Sequence, residues 1–127
     1  MRVMPFFFVL FLLAAPVAAR EAPLPPAQAF AMSYARKGDE VRLRWVMPKG
    51  YYLYREHITA ADAQGRTLNV RTPNATLKAD PTFGPVEVYY GTARADIRHK
   101  GAITLSYRGC QEDGLCYIPI RVVIPAR

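Results

Sequence analysis

Alternation with a period of two runs through most of this chain, and it restricts the fold more than any other feature. Val41, Leu43 and Trp45 alternate with Arg42 and Arg44, and Ile103, Leu105 and Tyr107 alternate with Ala102, Thr104 and Ser106. Shorter runs repeat the pattern: Phe30, Met32 and Tyr34; Tyr52 and Tyr54 around Leu53; Leu68 and Val70; Val86 and Val88. The stretch Ile120 to Ile124 is rich in β-branched residues and closes at Pro125. Strict alternation sends one set of side chains to a core and the other to water. The runs break at turn formers, namely Lys37-Gly38-Asp39, Pro48-Lys49-Gly50, Gln64-Gly65, Thr72-Pro73-Asn74 and Lys100-Gly101. No long window carries a helical period. The pattern predicts seven or eight short strands in an all-β, antiparallel β-sandwich, with Met32 a core residue.

The start of the chain is of another kind. Arg2 precedes an apolar run from Pro5 to Ala15, and Val17 and Ala19 stand at the two positions a signal peptidase reads. A charged start, a short apolar centre and a small-residue end make a secretory signal peptide. The stretch from Pro5 to Ala19 is also shorter than the roughly 20 residues of a bilayer-spanning helix. Residues 1–19 are expected to be removed, residues 20–29 to form a proline-rich extended arm, and residues 30–127 to form the sandwich domain. Without a cysteine at the junction, a lipoprotein anchor has no support. Export places the mature chain outside the cytosol, where disulfides form and persist.

Length and composition exclude several function classes. The 127 residues suffice for one domain. Two cysteines cannot build a zinc module of paired Cys-x₂-Cys motifs or a disulfide-dense mini-protein. No Gly-rich phosphate loop, Ser-His-Asp set or paired carboxylates stand out, which argues against nucleotide-binding enzymes and hydrolases. The net charge is +7. Arg42, Arg44 and Arg71 fall on the water-facing side of predicted strands, and no basic cluster is interleaved with exposed aromatics, so nucleic acid is not an expected partner. The glycosylation-type triplet Asn74-Ala75-Thr76 is too short a pattern to carry weight.

The chemistry rests with Cys110 and Cys116. Five residues separate them, and Glu112-Asp113-Gly114 is a turn signal between strands ending at Tyr107 and starting near Ile118. The cysteines therefore sit at the mouth of a hairpin-like loop, within bonding reach in an oxidising compartment. Two readings stand side by side. As a structural staple, the closed seven-residue loop contributes only about 2.4 kcal/mol in the chain-entropy model. As a redox-active pair, a local disulfide opens without unravelling the core and exchanges with an incoming thiolate. Arg108 beside Cys110 favours a thiolate, and Glu112 and Asp113 oppose it.

A third reading is a Cu(I) carrier using the two thiolates. His57 and His99 are distant in sequence from the pair and are expected at the surface. No other metal set and no cofactor is expected.

Four separated pieces, in register, carry a family resemblance. They are Pro26-Ala27-Gln28-Ala29-Phe30; Trp45 followed by Gly50-Tyr51-Tyr52-Leu53-Tyr54-Arg55; Phe83-Gly84 followed by Glu87-Val88-Tyr89; and Tyr107 through Pro119 with its Gly-Cys-x₅-Cys-Tyr-x-Pro pattern. Together they resemble the N-terminal periplasmic domain of the thiol:disulfide interchange protein DsbD, from about Pro26 to Ile124. The resemblance implies an immunoglobulin-like sandwich in the periplasm, with Cys110 and Cys116 as the redox pair and Cys116 as the site of the mixed disulfide. It implies that Phe83 is the cap-loop aromatic lying over the disulfide and that Tyr52 and Tyr54 line the site.

The partners it implies are a thioredoxin-like electron donor and periplasmic acceptors such as disulfide isomerases and cytochrome c maturation thioredoxins. Asp80-Pro81-Thr82-Phe83-Gly84 departs from the family's acidic-acidic-aromatic-aromatic-Gly loop. The chain is expected to work without the family's membrane and thioredoxin domains. The expectation is a free-standing exchange component that meets a membrane thiol transporter in trans. The rival from another class is a non-catalytic protein-binding β-sandwich with a structural disulfide.

Overall fold

A computed structural model describes residues 11–14 and 21–127. Most of the expected signal peptide lies outside the described residues. Among the described residues no helix is long and apolar enough to cross a membrane.

The chain runs α1 (Pro26–Ala29), β1 (Ala31–Lys37), β2 (Glu40–Val46), β3 (Tyr51–Tyr54), a 3₁₀ turn (Arg55–His57), β4 (Thr59–Ala61), β5 (Thr67–Leu68) and β6 (Val70–Arg71). It continues through β7 (Thr76–Asp80), β8 (Gly84–Tyr90), β9 (Thr92–Arg98), β10 (Ile103–Tyr107), β11 (Gly109–Gln111) and β12 (Ile120–Ile124). All pairings are antiparallel and form three four-stranded sheets, ordered β1-β2-β9-β6, β12-β10-β4-β5 and β11-β3-β8-β7. The strands outnumber the expected seven or eight because long runs are interrupted. The 3₁₀ turn divides β3 from β4, Gly91 divides β8 from β9, and Arg108 divides β10 from β11.

The first two sheets face each other across the main core. Val41, Leu43 and Trp45 of β2 and Ala93, Ala95 and Ile97 of β9 meet Ile103 and Leu105 of β10 and Ile124 of β12, all essentially fully buried. The Trp45 ring stands edge-on to Tyr107, 5.4 Å between centroids. Arg42 and Arg44 point to water as the alternation predicts. The architecture is the immunoglobulin-like antiparallel β-sandwich expected from the sequence. The third sheet is linked to the other two by short connections, since β3 leads to β4, β8 to β9 and β10 to β11.

Three local expectations are corrected. Tyr34, read as a core position, is 44% exposed, and Met32 is only partly buried. The cause is that β1 is an edge strand, paired with β2 alone. The arm is not extended throughout: Pro26–Ala29 form one helical turn, with proline at a first-turn position where a missing N–H costs nothing, and Ala29 and Phe30 are buried. In β3 both faces are buried rather than one. Tyr51 and Leu53 join the main core, whereas Tyr52 and Tyr54 form a second cluster with Val88 and Cys110. That second cluster is the floor of the candidate site.

Candidate functional site at the cysteine pair

Cys110 lies in β11, whose backbone pairs Cys110 with Tyr52 and Gly109 with Leu53. Gly109 is required here, because a Cβ at this position would collide with the Tyr52 carbonyl oxygen and the Phe30 ring. Beyond β11 the chain turns at Glu112-Asp113-Gly114. The Gln111 N–H bonds to the Leu115 carbonyl at 2.7 Å, and Asp113 adopts a left-handed φ of 53°. The turn returns Cys116 opposite Cys110 as an isolated antiparallel bridge, and the two are disulfide-bonded. The hairpin-mouth geometry read from the spacing is thus observed. The two sulfurs differ: Cys110 is fully buried, whereas Cys116 is partly exposed.

Strands β7 and β8 form a hairpin whose tip is Pro81-Thr82-Phe83, closed by Gly84 at φ 72°. Asp80, 4% exposed, organises it. Its Oδ1 accepts the backbone N–H groups of Thr82 and Phe83, both at 2.8 Å. Its Oδ2 accepts the hydroxyls of Tyr52 at 2.5 Å and Tyr54 at 2.7 Å. The Tyr54 oxygen lies 2.9 Å from Cys110 Sγ. One carboxylate therefore links the hairpin tip to the phenols beneath the disulfide.

The protonation states follow from these contacts. Burial opposes ionisation of Asp80, but the hydrogen bonds from Tyr52, Tyr54, Phe83 and Thr82 outweigh it and hold its carboxyl at about 2. Burial first, and then the bond to Asp80, pushes Tyr54 up to about 12 and Tyr52 higher still. Both phenols stay protonated at any physiological pH.

Phe83 is 41% exposed and packs edge-on to Tyr54 at 5.2 Å. Its ring is also 5.2 Å from that of His57, and the Arg108 guanidinium stands 5.4 Å from the ring centre. Against Cys116 the hairpin presents Thr82, with Oγ1 3.8 Å from Sγ. On the far side, Lys78 of β7 bonds Glu112 at 2.5 Å and lies 4.8 Å from the centre of the Tyr52 ring. The structure therefore brings together Cys110, Cys116, Tyr52, Tyr54 and Phe83.

Sequence reasoning missed four neighbours. Asp80 was visible only as a loop residue, although an Asp ahead of Pro-Thr is a signal for a side chain that bonds backbone N–H groups further on. His57, expected at the surface, is half-buried between Tyr54 and Phe83. Thr82 carried no signal of its own, and Gly109 stood out only as the glycine of the Gly-Cys-x₅-Cys pattern, with no sign of the close approach it permits. Charge is also distributed differently from the expectation: Glu112 is occupied by Lys78, Arg108 bonds the Tyr117 carbonyl at 2.9 Å, and the carboxylate tied to the sulfurs is Asp80. Among the described residues no group of three or more His, Cys, Asp or Glu is placed to hold a metal ion.

Comparison with known proteins gives a consistent answer. The family described as the N-terminal domain of thiol:disulfide interchange protein DsbD matches residues 20–126. The chain is 30% identical over 115 residues to the DsbD of Photorhabdus laumondii, covering 82% of this chain and 20% of that protein. It is 30% identical over 107 residues to the DsbD of Escherichia coli K12, covering 80% and 19%. The chain thus spans about a fifth of the length of the curated relatives it matches. Among solved structures, the reduced DsbD N-terminal domain of Neisseria meningitidis aligns with a TM-score of 0.73 at 28% identity, over 80% of this chain and 87% of that one. The same organism's complex of the DsbD and PilB N-terminal domains aligns at 0.67 and 28% identity, over 80% and 85%.

Proposed function

This chain belongs to the family of the DsbD N-terminal domain, and from that premise we propose that it is a periplasmic thiol–disulfide exchange domain working through Cys110 and Cys116. The observation that carries the reading is the pairing of a buried sulfur with an accessible one. Cys116 is open to attack, while Cys110 departs into a pocket where the Tyr54 hydroxyl stands 2.9 Å away.

The reaction is a two-electron exchange. A thiolate of a reduced thioredoxin-like donor attacks Cys116 Sγ. The Cys110–Cys116 bond breaks, its electron pair leaves on Cys110, and the donor is held as a mixed disulfide. The Tyr54 hydroxyl, whose one proton is hydrogen-bonded to Asp80 Oδ2 in the oxidised state, turns that proton off the carboxylate to face the new negative charge 2.9 Å away, and a proton from solvent converts Cys110 to a thiol. The donor's second thiolate then attacks its own sulfur in the mixed disulfide and releases Cys116. The donor is now oxidised and the domain carries two thiols. Run in reverse against an oxidised partner, the same steps hand the electrons on. Thioredoxin-like periplasmic proteins, including those that serve disulfide isomerisation and cytochrome c maturation, are the acceptors. The donor is recharged by a membrane thiol transporter, and residues 1–19 direct export. Tyr52 and Tyr54 form the floor of the site. The β7–β8 tip forms its cover, with Phe83 on the Tyr54–His57 side and Thr82 on the Cys116 side.

Equilibration against a reduced and oxidised thioredoxin couple tests this. The reading expects a potential above about −300 mV; a lower value identifies an inert structural bond and the non-catalytic binding module. Trapping is the second arm. Cys110→Ser is expected to retain its thioredoxin-like partner on Cys116 as a mixed disulfide.

A further inference from the structure

The lid hairpin has two sides, and they face different openings. Phe83 borders a depression of about 210 Å³ shared with Glu56 and His57. Cys116 opens instead onto a separate depression of about 320 Å³, bordered by Thr82, Gln111, Asp113 and Gly114. From the hairpin, the hydroxyl of exposed Thr82 stands 3.8 Å from the Cys116 sulfur. We propose that this depression admits a small peptide thiol directly to Cys116, so that the domain exchanges electrons with a low-molecular-weight thiol–disulfide couple as well as with protein partners. The proposal rests on the exchange reading above and adds a second substrate class to the same sulfur.

Three features support it. A thiolate attacks a disulfide sulfur from the side opposite the bond that breaks. Cys110 lies on the buried side of the pair, so the approach to Cys116 runs from the open side. The depression also falls at the lower end of the roughly 300–1,000 Å³ of ligand clefts, adequate for a short peptide with the hairpin in place, whereas a protein donor reaches Cys116 by displacing the hairpin tip. Its rim further offers a hydroxyl on Thr82, an amide on Gln111 and a carboxylate on Asp113, which together can bond the amide and ammonium groups of a peptide thiol.

The step balances as follows. The small thiolate bonds to Cys116 Sγ, the Cys110–Cys116 bond breaks, and Cys110 leaves as a thiolate that takes up a proton. A second small thiolate attacks the sulfur of the first. The small disulfide and the Cys116 thiolate are released. Two small thiols are oxidised and one protein disulfide is reduced.

The test uses the purified oxidised protein with reduced glutathione as the probe and reduced thioredoxin as the protein donor. Glutathione is expected to reduce the bond, with its adduct located on Cys116 by peptide mapping of acid-quenched samples. Thr82→Phe, which fills the depression, is expected to slow the glutathione reaction about tenfold or more, and Thr82→Ser to restore it. Thr82→Leu is the second filling variant should the phenylalanine disturb the hairpin. A glutathione rate unchanged in both filling variants, or an adduct on Cys110, overturns the proposal. Reduction by thioredoxin but not by glutathione also overturns it while leaving the exchange function standing. If neither donor reduces the folded protein, the exchange function itself fails and this inference falls with it.

Discussion

Asp80 Oδ2 accepts the Tyr54 hydroxyl at 2.7 Å, and this bond joins the hairpin tip beside the disulfide to the floor of the site. Asp80 ends β7 at the base of the hairpin tip, whereas Tyr54 ends β3 beside Cys110. A change at Asp80 is therefore felt at the tip and at the sulfur together. Replacing it with alanine removes four hydrogen bonds to a charged group and strands two buried hydroxyls. The expected loss is about 2–4 kcal/mol of stability, measured by urea unfolding of the oxidised protein.

The same carboxylate gives a pH dependence of defined sign. Its folded-state value of about 2 lies below the ordinary 3.8, so the ionised form is favoured in the fold. The resulting contribution, about 2 kcal/mol, is fully present above pH ~4 and is lost as the pH falls through ~2. Asp80→Asn is expected to flatten this acid limb relative to the parent. Asp62, whose carboxyl is also lowered by bonds from Arg66 and Gln64, leaves a residual acid dependence in both proteins, so the difference between the two curves is the measurement.

Tyr54→Phe leaves the ring against Phe83 but removes the hydroxyl facing Cys110. Turning the Tyr54 proton from Asp80 to the departing Cys110 thiolate trades one charged acceptor for another, so the net gain is about 1 kcal/mol and exchange with reduced thioredoxin is expected to slow roughly fivefold. Stopped-flow kinetics across pH 6–9, roughly the range where thiols titrate, gives a second signature. Because Tyr54 is raised to about 12, the parent and the variant are expected to share one profile shape and differ in height.

Gly109→Ala places a methyl group against the Tyr52 carbonyl and the Phe30 ring. Neither can withdraw easily, since one is ladder backbone and the other is 1% exposed in the core. The expected cost is about 3 kcal/mol. Thermal unfolding of the oxidised variant measures it.

Opening the disulfide has a small expected cost. The closed loop is short, so its loss removes about 2.4 kcal/mol by chain entropy. The main core draws on other strands. Cys110→Ser/Cys116→Ser is expected to remain folded, with an unchanged near-ultraviolet circular dichroism signature of Trp45 and a modestly lower melting temperature.

Much of this was legible in the sequence, for physical reasons that differ by residue. The run Val41-Leu43-Trp45 announced its own strand because period-two burial is a local property. The cysteine loop was equally readable, because six positions separate its ends and a turn lies between them. Tyr34 misled because periodicity reports which face a side chain takes but not whether the strand stands at a sheet edge. Tyr52 and Tyr54 were expected at the site only through the resemblance, since their alternation around Leu53 predicts one buried face and says nothing of the cysteines, whereas the structure buries both faces and packs the two tyrosines with Cys110. Asp80 stayed hidden because its partners lie 26 and 28 positions away, and nothing local marks a carboxylate for distant phenols.

The two cysteines are attached to the fold by unequal means. Cys110 is fixed by the ladder of β11 to Tyr52, whereas Cys116 is held opposite it as a lone bridge after a turn. On the exchange reading, opening the bond leaves Cys110 where the sheet put it, and Cys116, flanked by the Leu115 carbonyl bonded to Gln111 and the Tyr117 N–H bonded to Gly109, turns a captured partner outward by side-chain rotation alone. The resolving sulfur then waits at a constant address, which favours brief capture and prompt release.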